Sequence, residues 1–267
     1  MKLFPDISLA DVQQVYSGAE GQLWELFMGQ QIHIGGLASS IELADRSGIA
    51  KASTGVDLCC CAGAGMRFLV RFRGVASMHG VDATARMVEL GRQRSCQEGM
   101  EHQITFTLAD ACDSNLPNEY ADFVWSEDAW CYVGDKPRLL SEAARLVRKG
   151  GVVAFTDWIE GPGLSDAQAE RFMKFMSFPS LFGLEDYRQH LSACGLEVVH
   201  AYDTGRFAPC AGLYIEMAQK QLTYDALRIL GYDMKVLEAL AAELKFAHEL
   251  AQAGRIAQGL FVARKGN

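Results

Sequence analysis

No uninterrupted apolar run in the 267-residue chain approaches the ~18 residues of a membrane-spanning helix, so no span is expected. The opening stretch MKLFPDISLADVQQ contains no apolar segment long enough for a secretory signal. Basic residues are outnumbered, 25 Lys and Arg against 33 Asp and Glu, and form no cluster. A net charge of −8 therefore argues against nucleic-acid backbones and anionic membranes as partners. There is no internal repeat, no low-complexity tract and no long Pro/Gly/Ser linker. The eight cysteines lack the paired spacing of a structural zinc site, and without a secretory signal reduced thiols in a cytoplasmic protein are the expectation. No metal site is expected.

What is present is a chain with globular composition, 49% hydrophobic and 22% charged, long enough for one large α/β domain. Residues 8–50 read as helix, SLADVQQVY opening on Ser8 as N-cap and SSIELADRSGIA stopping at Gly48, with a Gly- and Gln-rich loop at 27–36 between them. From Thr54 short apolar strands alternate with helices. GVDLCCC is followed by MRFLVRF as a helix, and VASMHGVD (75–82) by the helix ATARMVELGRQRSCQEG. ITFTLADA (104–111) and YADFVWSED (120–128) are the next strands. The helix PRLLSEAARLVRKGG is expected to end at Gly150 and Gly151, before VVAFTDW (152–158). This alternation predicts a parallel sheet with right-handed crossovers. SDAQAERFMKFMSF and GLEDYRQHLSACG read as helices, LEVVHAYDTG as a strand, 207–253 as mostly helix, and IAQGLFVARKG as a final strand. The two late strands are expected at the sheet edge.

In an open parallel sheet, ligands bind beyond the carboxyl ends of the strands where strand order reverses. Asp57, Asp82, Asp110, Ser126 and Asp128 all fall at such ends. A glycine-rich turn after Asp57 lets backbone approach a ligand, an acid ending the second strand can take both hydroxyls of a ribose, and an acid ending the third can accept from an adenine amino group. Each acid alone also reads as a helix cap or turn residue. The ordered set points to a nucleoside ligand.

The stretches VDLCCCAGAGMRFLVR, HGVDATARMVELGRQR, TLADACDSNLPNEYADFVWSEDAWCYVGD, RLLSEAARLVRKGGVVAFTDW and LSACGLEVV resemble the successive motifs of class I S-adenosylmethionine-dependent methyltransferases. IHIGG, FVWSEDAW, AFTDW and AGRIAQGLFVARK resemble the small-molecule branch that includes sarcosine/dimethylglycine N-methyltransferases. The likeness runs from about residue 27 to the end. It implies a Rossmann-like α/β fold: a seven-stranded sheet with its last strand antiparallel, a helical cap over 1–50, and a methyltransferase domain over 51–267 with a helical insert at about 160–254. The helical segments at 8–50 and 160–254 are expected to act as a lid. The resemblance also implies S-adenosyl-L-methionine as cofactor. Asp57, Cys59, Cys61 and Gly63 would lie against its methionine part, Asp82 on the ribose, Ala83 and Met87 beside the adenine, Asp110 and Ala111 at the adenine edge, and Ser126 at the methionine end through its backbone.

One departure stands out. The family loop reads Asp-x-Gly-x-Gly-x-Gly, and here Cys59 and Cys61 replace the first two glycines. A Cβ at those places would crowd a ligand or strain the backbone. Three adjacent cysteines cannot easily surround one ion, and a disulfide between neighbours would be strained. Small buried residues are the expected state, with a reactive Cys61 thiolate the alternative.

The resemblance places Gln31, His33, Trp130, Tyr132, Asp157 and Trp158 around a small-molecule methyl acceptor. Gln31, Trp130 and Trp158 are candidates for binding it, and aromatic rings would suit an amine that becomes quaternary. Asp157, His33 and Tyr132 are the candidate bases for a hydroxyl or carbon acceptor. Arg206 or Arg138 could pair with a substrate carboxylate. The expected reaction is methylation of a sarcosine/dimethylglycine-like amine, with O- or C-methylation of a secondary metabolite as alternative. A non-catalytic nucleoside-binding relative and a nicotinamide dehydrogenase remain competing readings, and a homo-oligomer is left open.

Overall fold

The computed structural model describes residues 1–267. Seven strands form one sheet: β1 (Thr54–Leu58), β2 (Ser77–Asp82), β3 (Ile104–Leu108), β4 (Ala121–Glu127), β5 (Val147–Glu160), β6 (Leu196–Asp203) and β7 (Ile256–Lys265). Their spatial order is β3-β2-β1-β4-β5-β7-β6, and β7 runs antiparallel to both β5 and β6. The helices are α1 (Leu9–Ser17), α2 (Ala19–Met28), α3 (Gly36–Ser47), α4 (Ala64–Phe68, continued by a π turn over Leu69–Arg73), α5 (Ala85–Gln97), α6 (Lys136–Leu146), α7 (Asp166–Met176), α8 (Leu184–Ala193), α9 (Phe207–Lys220), α10 (Thr223–Ile229) and α11 (Met234–Gln252). None is long and apolar enough to cross a membrane.

The near-continuous apolar strands follow from burial on both faces. Val124, Val153, Phe155 and Phe261 share one core with Leu139 and Leu140 of α6 and Tyr187 of α8. Phe123, Trp125, Ala154 and Val262 share the other with Leu43 of α3 and Met66 and Leu69 of α4 and its π turn. Each such large side chain contributes about 1.5–3 kcal/mol when fully buried. A one-residue slip would exchange the two faces, so the register is fixed, and with it the places where the strand ends fall.

A third core gathers segments far apart in sequence. Trp24 and Phe27 of α2 pack with Phe172 of α7, Phe207 of α9, Leu250 of α11 and Trp158 of β5. Lys2–Leu3 pairs with Ser180–Leu181, fastening the beginning of the chain to this layer. The cap is thus built from α1, α2, α7 and α9–α11 together. The expected lid segments are not cap throughout: α3 packs on the sheet, and α8 and β6 belong to the sheet layer.

Ser8 caps α1 in a reciprocal pair with Asp11, and Gly48 closes α3 in the left-handed region. Two boundaries differ from the sequence pattern. The helix expected to reach Gly150 stops at Leu146, because Val147 turns extended and pairs with Ala121. The fifth strand, expected to end at Trp158, runs on to Glu160, its last residues paired with β7.

Candidate active site

Strand order reverses between β1 and β4, and the carboxyl ends of β1, β2 and β4 open there onto a cleft with about 930 Å³ of empty space, part of it open to solvent. Helix α1 roofs it with Leu9, Val12 and Tyr16. Two contacts tie the cap to the rim: Gln13 Nε2 of α1 donates to Ala83 O at 2.7 Å, and Glu25 of α2 pairs with Arg94 at 2.5 Å.

The turn after β1 forms the floor. Cys59 (φ 64°), Cys61 (φ 49°) and Gly63 (φ 72°) are all left-handed. The two cysteines therefore keep the backbone conformation that glycine adopts without strain, at about 1–2 kcal/mol each for an L residue. Tertiary hydrogen bonds hold them there. Cys59 N and Cys60 N both donate to Val81 O (2.9 and 3.1 Å), and Cys61 N donates to Asp82 Oδ2 at 2.8 Å. Cys60 is buried and points away, its Sγ filling the space beside Gly80. Cys59 and Cys61 are half-buried and line the cleft. Burial and the nearby Asp82 push the Cys61 thiol up to about 12, so it is not a reactive thiolate.

Five carboxyl groups line the cleft: Asp57, Asp82, Asp110, Glu127 and Asp128. Asp57 makes no side-chain hydrogen bond, and its carboxyl is held well above the usual range by burial and then by Glu127 and Asp82. Asp82 receives one backbone N–H on each oxygen, Cys61 N on Oδ2 and Thr84 N on Oδ1, both at 2.8 Å. Asp110 uses only Oδ1, accepting from Cys112 N. Both Asp82 and Asp110 thus have lone pairs left for a ligand. Asp128 accepts from Ile34 N and from Gln258, and burial raises it to about 6.

His33 and Glu127, which line the cleft, form a connected group with Ser40 behind them. Ser40 Oγ donates to Glu127 Oε1 at 2.6 Å and accepts from Gln31 Nε2 at 3.0 Å. His33 Nε2 lies 3.3 Å from Glu127 Oε1 and 3.2 Å from Ser40 Oγ.

The structure brings together Asp57, Cys59, Cys61, Asp82, Ala83, Met87, Asp110, Ala111, Gln31, His33 and Tyr132 around this one cleft. Five expected residues lie elsewhere. Gly63 turns toward the core, where a Cβ would come 2.8 Å from Met66 and Phe106. Ser126 is fully buried, its Oγ donating to Leu58 O at 2.9 Å. Trp130 is fully buried too, packed on Phe155 with ring centres 4.0 Å apart. Trp158 sits in an aromatic cluster with Phe172, Phe178 and Phe207, beside a separate, wholly apolar cavity of about 480 Å³. Asp157 is fully buried, accepting from Cys131 N at 2.9 Å and Tyr187 OH at 2.5 Å, so it cannot serve as a base in this cleft. Its expected place at a strand end fails because β5 extends past it.

The two arginines expected for a substrate carboxylate are also elsewhere. Arg206 pairs with Glu42 and Ser39, and Arg138 is an exposed partner of Asp113. Glu127 carries no motif of its own, and only alternation from Ser126 puts it on the opposite face. Leu9, Val12 and Tyr16 show as one stripe of α1, but nothing local says that the stripe meets the cleft.

Residues 56–155 match the family model described as a methyltransferase domain. Methyltransferase GfsG of Streptomyces halstedii is 26% identical over 165 residues, 61% of this chain and 59% of that protein. Dimethylglycine N-methyltransferase of Parasynechococcus marenigrum is 27% identical over 201 residues, 70% of this chain and 68% of that protein. The matched stretches therefore span about three-fifths to two-thirds of the length of these curated relatives. Among solved structures, Haemonchus contortus phosphoethanolamine N-methyltransferase 2 in complex with S-adenosyl-L-methionine superimposes with a TM-score of 0.82 at 19% identity, over 100% of this chain and 61% of that one. The fold is that of the class I methyltransferases.

Proposed function

We propose that this chain, whose residues 56–155 match a methyltransferase-domain model, transfers the methyl group of S-adenosylmethionine to a small-molecule acceptor held under α1. The observation that carries this reading is the set of three strand-end acids with unused hydrogen-bonding capacity, arranged around one left-handed turn.

The cleft fits the donor. Asp57, with no protein partner, suits an ammonium group, and Asp82 retains a lone pair on each oxygen for two ribose hydroxyls. Asp110 Oδ2 is free for an exocyclic amino group, and Met87 with Ala83 offers apolar flanks for a purine. When bound, S-adenosylmethionine supplies an electrophilic methyl carbon. The residues of the chain bind, orient and exclude water, which accounts for much of the acceleration of an in-line transfer. The acids complement a cationic donor and lose that complementarity once the sulfur is neutral, which favours product release.

The left-handed backbone of Cys59 and Cys61 weighs against a relative that has lost its cofactor loop. Two calorimetric titrations test the proposal, one with S-adenosylmethionine and one with NAD. Saturable binding of the first alone supports it, and NAD binding without any response to S-adenosylmethionine overturns it. Donor binding without release of S-adenosylhomocysteine across a broad acceptor panel would favour a non-catalytic binder instead.

A further inference from the structure

The second cavity lies inside the cap, with about 480 Å³ of empty space, part of it open to solvent, and it shares no lining residue with the cleft. Trp24 and Phe27 of α2, Met176 of α7, Phe207 of α9, Trp158 of β5 and the loop residue Ile34 form its buried wall. Met28, Ile215 and Leu244 are half-buried, so the cavity reaches the surface beside them. Aromatic contacts separate it from the cleft. Trp158 meets Phe178 edge-on with ring centres 5.3 Å apart, and Phe178 meets Tyr132 of the cleft at 4.8 Å.

Small side chains make this space. Helices α9 and α11 present Ala211 and Ala247 to it, where a leucine would fill part of the room. An apolar cavity of this size is costly either way. Dry, its rings forfeit the dispersion contacts that a close-packed interior gives them. Wet, it offers water no set of polar partners, because all twelve lining residues are hydrophobic. Tyr214 uses its hydroxyl to accept from Gly35 N at 3.2 Å and lends the cavity its ring. A charged or strongly hydrogen-bonding ligand would lose its hydration here without compensation. A flat ring would meet ring faces and edges on several sides, and the Met28 and Met176 thioethers adapt to such a shape. Apolar cavities of only about 150 Å³ already hold benzene, so one or two rings are within reach.

We propose that this cavity is a binding site for a small, uncharged aromatic ligand, distinct from the cleft. It stands without the methyl-transfer reading above. The ligand rests on Ile34, the next residue after His33 of the cleft.

The test titrates the free protein calorimetrically with p-xylene and with 4-methylbenzoate, in which a carboxylate replaces one methyl group. p-Xylene should bind saturably and at least tenfold tighter than 4-methylbenzoate. Ala211→Leu and Ala247→Leu should each weaken p-xylene at least tenfold and melt no lower than wild type, because the added side chain enters free room. No saturable p-xylene binding, 4-methylbenzoate binding within threefold of it, p-xylene affinity within threefold of wild type in both variants, or a lower melting temperature in both overturns the inference. Wild-type crystals under xenon pressure locate the site without any substitution. Anomalous density should appear between Trp24 and Trp158, and its absence there would count equally against the site. None of these measurements uses S-adenosylmethionine, so the cavity and the donor reading stand or fall separately.

Discussion

Replacing Asp82 by alanine separates the two duties the structure gives this carboxylate. It holds the turn after β1 through Cys61 N and the start of α5 through Thr84 N, each at 2.8 Å. Both donors are partly buried, so losing their acceptor costs about 1 kcal/mol each, toward the lower end for an unsatisfied group. A loss of about 2 kcal/mol lowers the melting temperature by roughly 4–8 °C in a chain of this size. On the ligand side, two hydroxyls bound to a carboxylate contribute about 1.5–3 kcal/mol each, so the dissociation constant of S-adenosylhomocysteine should rise at least a hundredfold. Asp82→Asn keeps one acceptor oxygen and should fall between wild type and alanine on both scales. Thermal melts without ligand report the first duty and calorimetric titration at 25 °C reports the second. A melting temperature several degrees lower with affinity within threefold of wild type would leave Asp82 as a loop anchor and refute its role at the ribose.

Three further outcomes follow from the same cleft. Burial, then Glu127 and Asp82, hold the Asp57 carboxyl well above the usual carboxylate range, and a bound ammonium favours its ionised form, so donor binding should release protons and tighten as pH rises; titrations in buffers of differing ionisation enthalpy would show no proton release if Asp57 does not meet the ligand. Cys61→Gly removes a thiol from the floor and should bind S-adenosylhomocysteine as tightly as wild type or more so, whereas binding preserved with turnover abolished would point to a chemical role for the thiol. Asp128, raised from 3.8 to about 6 by burial, favours the fold most when protonated, so its contribution is complete below about pH 4 and is lost as pH rises through 6. Relative to Asp128→Asn, wild type should lose up to about 3 kcal/mol of stability between pH 4 and 7 in denaturant titrations, and parallel stability curves would contradict the assignment.

Much of the molecule could be read from local pattern. Alternation of short apolar strands with capped helices gave the parallel sheet, and Ser8 and Gly48 marked helix ends that the structure keeps. Asp57, Asp82 and Asp110 were placed at one edge because strand ends in such a sheet share an edge by topology. Misplacements arose where a boundary depends on tertiary pairing. The strand pattern stops at Trp158, which leaves Asp157 next to its end, yet pairing of Trp158 with Gln258 and of Glu160 with Ile256 carries β5 on to Glu160. Trp130 and Trp158 carry no local sign of whether a ring meets a ligand or a core. The cap was only half legible, since the apolar stripe of α1 finds its position through long-range contacts such as Gln13 with Ala83.

The two left-handed cysteines also bear on how the chain folds. A glycine at these positions would remove about 1–2 kcal/mol of strain each, but it would also give the unfolded chain more freedom to lose, about 0.4–1 kcal/mol per site. The second effect offsets only part of the first, so stability alone would still favour glycine at positions 59 and 61 by roughly 0.5–1 kcal/mol each. What glycine provides there is empty room. With two sulfur atoms occupying it, the floor of the cleft is raised, and whatever donor binds must settle on thiols rather than on bare backbone.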